Sequence, residues 1–102
     1  MAVISIRPMV AGGIVVGGKV VPTGRQSDAE EVRLNVDATK TATTAFHTSM
    51  NMVRLCSDTT CFVQIGSAAA ANPSATGWML PANSIEYPEI VPRGAIVTVV
   101  AK

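Results

Sequence analysis

The stretch Glu31-Val32-Arg33-Leu34-Asn35-Val36-Asp37 decides the fold class. Val32, Leu34 and Val36 fall on one side of an extended chain, and Glu31, Arg33, Asn35 and Asp37 fall on the other. An alternation of period two marks a strand with one face on a core and one in water. A helix needs apolar positions three and four residues apart, which this segment lacks. The pattern therefore predicts a half-buried antiparallel strand over residues 31–37.

Working towards the C-terminus, residues 38–49 are rich in Thr and small residues and fit either a weakly patterned strand or an ordered loop. Met50 to Cys56 and Cys61 to Gly66 flank Ser57-Asp58-Thr59-Thr60, whose Asp and Ser favour a turn. These segments are expected to form a hairpin, with Met52, Arg54, Cys56, Cys61, Val63 and Ile65 on one face. Val53, Leu55, Phe62 and Gln64 then share the other. Ser67 to Thr76 contains a run of four alanines followed by Asn72-Pro73, and is expected to be an exposed loop because Asn-Pro would end an alanine helix. Trp78 to Leu80 is a strand stopped by Pro81. Ile85 to Val91 is interrupted by Pro88, which confines it to an edge or a bulge. Pro92-Arg93-Gly94 is a turn, and Ala95 to Ala101 is a closing strand.

Towards the N-terminus, residues 25–30 form a polar loop. Ile14 to Val16 and Val20-Val21 straddle Gly17-Gly18, a hairpin signal. Ala2 to Ile6 is β-prone and stops at Pro8. It fits equally the first strand of a sandwich or an arm added to the sheet edge of a neighbour. The expectation is an all-β chain: one compact antiparallel sandwich or jelly roll of seven to eight short strands over residues 1–102, with residues 1–8 as a candidate arm.

Composition narrows the function. A chain of 102 residues is one domain. Its net charge of +1 provides no cationic excess for phosphate, which argues against a nucleic-acid partner. Charged residues are only 15% of the chain, against about 25% in ordinary domains. With a mean hydropathy of +0.36, such a chain is expected to cover part of its surface with a partner. Pro8 and the glycines at 12, 13, 17 and 18 break up the apolar start, so neither a signal peptide nor a membrane span is expected. Synthesis in a cytoplasm, with thiols reduced, is the accompanying expectation.

The residues that could carry chemistry are few. His47 is the only histidine, and no local nucleophile signature accompanies it. Cys56 and Cys61 match no zinc spacing. They are read as packed thiols, with a cross-strand disulfide left open. Asp28, Glu30 and Glu31 cluster in a solvated loop. Glu86 and Glu89 point to opposite faces of a strand and so cannot act as a paired acid and base. No catalytic, cofactor-binding or metal-binding residue is predicted, and the chain is expected not to be an enzyme. Trp78, Met79 and Tyr87 are the candidate interface residues, because amphipathic aromatics are favoured where partners meet. Val3, Ile4 and Ile6 join them if the first segment is an arm.

The second half carries a resemblance. Its elements are Val53-Arg54-Leu55-Cys56, Cys61-Phe62-Val63-Gln64-Ile65-Gly66, Asn72-Pro73-Ser74-Ala75-Thr76, Leu80-Pro81-Ala82-Asn83, Glu86-Tyr87, and Pro92-Arg93-Gly94 leading into Ile96 to Val100. Together these resemble small β-proteins encoded among the virion genes of tailed bacteriophages, some of which are head decoration (cement) proteins with jelly-roll folds. The resemblance covers roughly residues 50–101 and rests on strands and turns. It implies a non-enzymatic virion protein on the capsid surface. Its partners would be the major capsid protein and further copies of itself, as a homodimer or other homo-oligomer. A tail, neck or fibre adaptor and a small ligand- or glycan-binding sandwich are the alternatives, the latter with Trp78 and Tyr87 as a stacking platform.

Overall fold

In a computed structural model, which describes the backbone of residues 2–16, 19–26 and 31–102 and the side chains of residues 2–9 and 31–102, the chain is a sandwich of two antiparallel sheets. The strands are β1 (Val3–Val16), β2 (Lys19–Gln26), β3 (Val32–Asn35), β4 (Thr41–Ala42), β5 (Met52–Ser57), β6 (Cys61–Gly66), β7 (Trp78–Leu80), β8 (Ile85–Glu86) and β9 (Ile96–Ala101). One short helix, α1 (Pro73–Thr76), lies between β6 and β7. Sheet A has the order β2-β1-β5-β8, with β3 also paired to β1; sheet B has the order β4-β9-β6-β7.

The alternating segment forms β3, with Val32 and Leu34 half-buried, Arg33 and Asn35 exposed, and Val36 buried just beyond the strand. The inner faces meet in one core. Ile4, Ile6, Val53 and Leu55 from sheet A oppose Cys61, Val63, Leu80, Val97 and Val99 from sheet B, with Phe46, Ile90 and Ala95 completing it. Full burial of each aliphatic side chain stabilises the fold by about 1.5–3 kcal/mol, so this core is the main source of stability.

Four expectations are changed or settled. First, β1 does not stop at Pro8. It runs 14 residues, and the strand count is nine with the short β4, which falls in the 38–49 stretch that the sequence leaves open between strand and loop. Odd-numbered residues of β1 direct their backbone groups towards β5, as the bonds from Asp58 N–H to Val3 O and from Asn51 N–H to Met9 O show. Pro8 therefore faces the other side. There β3 pairing ends at Ile6 and β2 pairing begins at Met9, so the missing proline N–H falls in the gap between two ladders. Second, of the two readings open for the first segment, strand and arm, the chain forms the strand: residues 3–9 pair with β3 on one side and β5 on the other within the same chain.

Third, β5 and β6 do not form a hairpin ladder: β5 pairs with β1 and β8, whereas β6 pairs with β7 and β9. The turn at 57–60 carries the chain from one sheet to the other. Apolar residues on both faces of a two-strand segment do not reveal whether the strands pair or oppose one another. Fourth, Asn72-Pro73 starts a helix rather than ending one. Pro73 occupies its first turn, where a missing N–H is no loss and the fixed φ suits the helix.

Val16 pairs with Lys19, so residues 17–18 connect a β1–β2 hairpin. Those two glycines, and Asp28 and Glu30 of the acidic cluster, lie outside the described residues.

Candidate functional site

The surface has one feature that ordinary core formation does not account for. Among the residues whose side chains are described, the large exposed hydrophobic ones are Trp78, Met79, Ile85, Tyr87 and Val91, between 38% and 61% exposed. All five come from the continuous segment 78–91. This segment supplies the outermost strand of sheet B, β7, and the outermost strand of sheet A, β8. It therefore forms one lateral side of the sandwich. Single exposed hydrophobics are ordinary, but a group on one edge marks an interaction surface.

Local sequence explains the exposure. Trp78 pairs with Val63 and Met79 with Phe62, so the two side chains leave β7 on opposite faces at a strand with no further neighbour. Ile85 pairs with the half-buried Cys56, which places it on the outer face of sheet A, and Tyr87 follows two residues later on the same face. Beyond Glu86 the chain continues along β5, with Val53 N–H donating to Pro88 O at 3.1 Å and Ile90 N–H donating to Asn51 O at 2.9 Å. Pro88 and Ile90 thus turn their backbone towards β5. Tyr87 and Glu89 turn theirs outward, by the alternation of an antiparallel ladder.

Of the sequence-derived candidates, Trp78, Met79 and Tyr87 are exposed on this edge. Ile4 and Ile6 are not surface residues: both are 0% exposed in the core of their own chain. Val3 is half-buried at the start of β1, where its N–H donates to Asp58 Oδ1 at 2.9 Å. Ile85 and Val91 were missed. The available signal was the proline interruption at 88, which forces an edge and leaves the neighbouring apolar residues without a covering strand.

Chemically reactive groups are engaged locally. His47 is an exposed loop residue whose Nδ1 accepts the Ser49 backbone N–H at 3.1 Å and lies 2.8 Å from Ser49 Oγ. Among the described residues the single ion pair is Arg33 Nε with Glu31 Oε2, at 3.1 Å, so no described carboxylate orients the imidazole for proton transfer. No buried side-chain nitrogen or oxygen among the described residues lacks a partner. Thr43 Oγ1 accepts from Val97 N–H, Thr98 Oγ1 accepts from Ala70 N–H, and Ser57 Oγ donates to Thr59 O. No group of three His, Cys, Asp or Glu among the described residues is placed to hold a metal ion. No helix of the described residues is long and apolar enough to cross a membrane.

Cys56 and Cys61 are free thiols in different sheets, with Cys56 half-buried and Cys61 buried. Burial pushes the Cys61 thiol above its ordinary range, and a side-chain hydrogen bond with Ser57 offsets part of this. A raised native pKa means that the unfolded chain loses its proton first. The stabilisation is complete below the unfolded value of about 8.5 and declines as pH rises beyond it. The urea midpoint is expected to fall on going from neutral to alkaline pH, and Cys61→Ala should reduce that fall. Equal pH dependence in the two proteins would show that Cys61 does not contribute.

Comparison with known proteins finds no matching family model, no matching curated protein and no matching solved structure. The functional reading therefore rests on the edge itself.

Proposed function

We infer that the chain is a non-enzymatic structural protein of a tailed-bacteriophage virion, a capsid decoration protein that binds the outside of the major capsid protein shell and stabilises it. The observation that carries this reading is the apolar side of the sandwich. Five large hydrophobic residues are exposed on one edge, while the buried polar side chains of the described residues are all engaged within the fold. A rigid scaffold with an adhesive edge suits attachment to a regular surface. Repetition over many copies there turns modest contacts into high avidity. The low proportion of charged residues, 15%, supports a surface that is covered in use, and the resemblance of residues 50–101 to phage virion proteins supplies the setting.

Quantitative mass spectrometry of purified particles of the encoding virus tests the proposal. A copy number comparable to that of the major capsid protein is expected. A few copies per particle would move the chain to the neck, tail or fibre, and absence from the particle would overturn the virion reading.

A further inference from the structure

The β1–β2 hairpin is the part of the fold that the sandwich does not use. β1 is flanked by β5 as far as Met9, and from Val10 to Val16 its ladder partner among the described residues is β2 alone. In turn, β2 pairs with β1 and with no other strand among the described residues. The eight register pairs from Met9↔Gln26 to Val16↔Lys19 make a two-stranded ribbon about 24 Å long at ~3.4 Å per residue. The molecule correspondingly measures 44 Å along one axis and 25 Å along the other two. A two-stranded ribbon alone is marginal in water. This one is built from Met9-Val10-Ala11-Gly12-Gly13-Ile14-Val15-Val16 and Lys19-Val20-Val21-Pro22-Thr23-Gly24-Arg25-Gln26, a largely apolar sequence.

We propose that this ribbon adds as a strand to the Ile85–Val91 edge of a second copy of the same chain. Three observations select that occupant. The backbone edges match: β1 directs odd-numbered residues towards the β5 side, and beyond Met9 no strand of the described residues pairs with Ala11, Gly13 and Val15 on that side. Tyr87 and Glu89 offer theirs on the outer side of sheet A. The charges match as well. Residues 9–26 contain Lys19 and Arg25 and no acid, whereas residues 78–91 contain Glu86 and Glu89 and no base. Both glutamates are exposed. Finally, the ribbon sequence is apolar between its charges and the 78–91 edge exposes large hydrophobic residues, so docking removes that edge from water.

One chain thus carries both halves of a head-to-tail contact. Such a contact closes into a ring or a mutual two-fold exchange, or propagates along a surface. The proposal concerns the purified chain in solution and does not depend on the virion reading.

Charge exchange tests it directly. By sedimentation velocity the wild-type chain is expected to self-associate with rising concentration, more weakly at high salt. Lys19→Glu with Arg25→Glu makes the ribbon acidic and should weaken association about tenfold or more, since like charges then face one another. Glu86→Lys with Glu89→Lys makes the edge basic and should do the same. Mixing the two variants restores opposite charges at every contact and should restore assembly. Circular dichroism checks that each variant folds, and the single replacements R25E and E89K replace any double variant that does not. A monomeric wild type, variants that associate like wild type, or a mixture that remains monomeric would each overturn the proposal.

Discussion

Gly77→Ala is expected to destabilise the fold by about 2–4 kcal/mol, in the upper range for a single added methyl group. A Cβ at this position would lie 2.2 Å from the carbonyl oxygen of Val63 and 2.7 Å from that of Pro73. Both are backbone atoms, one held in β6 and the other in α1, so neither can move aside as a side-chain tip would. The strain is steric and not conformational, because the φ of Gly77 is −93°, open to any residue. Gly77 lies where α1 passes into β7, and its own N–H donates to Pro73 O at 2.8 Å. The added carbon must therefore push β7 from β6, disturbing the Trp78↔Val63 pair next to it. Gly66→Ala is the control, since the nearest contact of its Cβ is Ala68 O at 3.9 Å. Urea denaturation of the two variants decides the matter. Equal midpoints would mean that the approach of β6 to Gly77 is not as close as described.

The edge that Gly77 positions was partly legible in the sequence, through residue type and proline. Trp78, Met79 and Tyr87 could be singled out from residue type, since amphipathic aromatics are favoured where partners meet, while Pro81 and Pro88 limit how far β7 and β8 can be paired and so leave the segment at an edge. The alternation at 31–37 was sufficient for β3 because one face is wet and the other dry. Where both faces are apolar the pattern carries less information. Met52 to Ser57 and Cys61 to Gly66 lie in opposite sheets, yet their sequence fits a hairpin equally well, since a sheet crossover and a hairpin turn both use Ser, Asp and Thr. The stretch that holds Thr41–Ala42 fits a strand or a loop in sequence, because its strand character is imposed from outside. It pairs with Thr98 and Val99 of β9, and the adjacent Thr43 is held by bonds to the backbone of Val97. The long β1 was hidden by Pro8, whose tolerance depends on a gap between β3 and β2 that no local pattern encodes.

That last point makes Ile6→Ala the most discriminating core substitution, with an expected loss of about 3–4 kcal/mol, inside the usual range for truncating a buried isoleucine. If residues 1–8 served only as an arm for a neighbour, truncating Ile6 would leave the isolated chain as stable as before. Instead Ile6 is 0% exposed and pairs with Val32 on one side and Leu55 on the other. Its backbone faces β3, so its pair with Leu55 is of the non-hydrogen-bonded kind, in which side chains approach most closely. Leu55 is also 0% exposed. The two side chains meet on the core face, and a cavity opened at one is shared by the other. Ile6→Ala and Leu55→Ala should therefore be non-additive, with a coupling of about 0.5–3 kcal/mol. For a domain whose total stability is about 5–15 kcal/mol, either loss alone is a large fraction of the whole, visible as a shift in the urea midpoint at unchanged slope. The charge-exchange variants Lys19→Glu and Arg25→Glu should leave that midpoint nearly unchanged at concentrations where the chain is monomeric. A stable Ile6→Ala protein would return the first eight residues to the role of an arm. A destabilised one fixes them in the centre of sheet A and leaves the ribbon beyond Met9 as the part of β1 free to reach a neighbour.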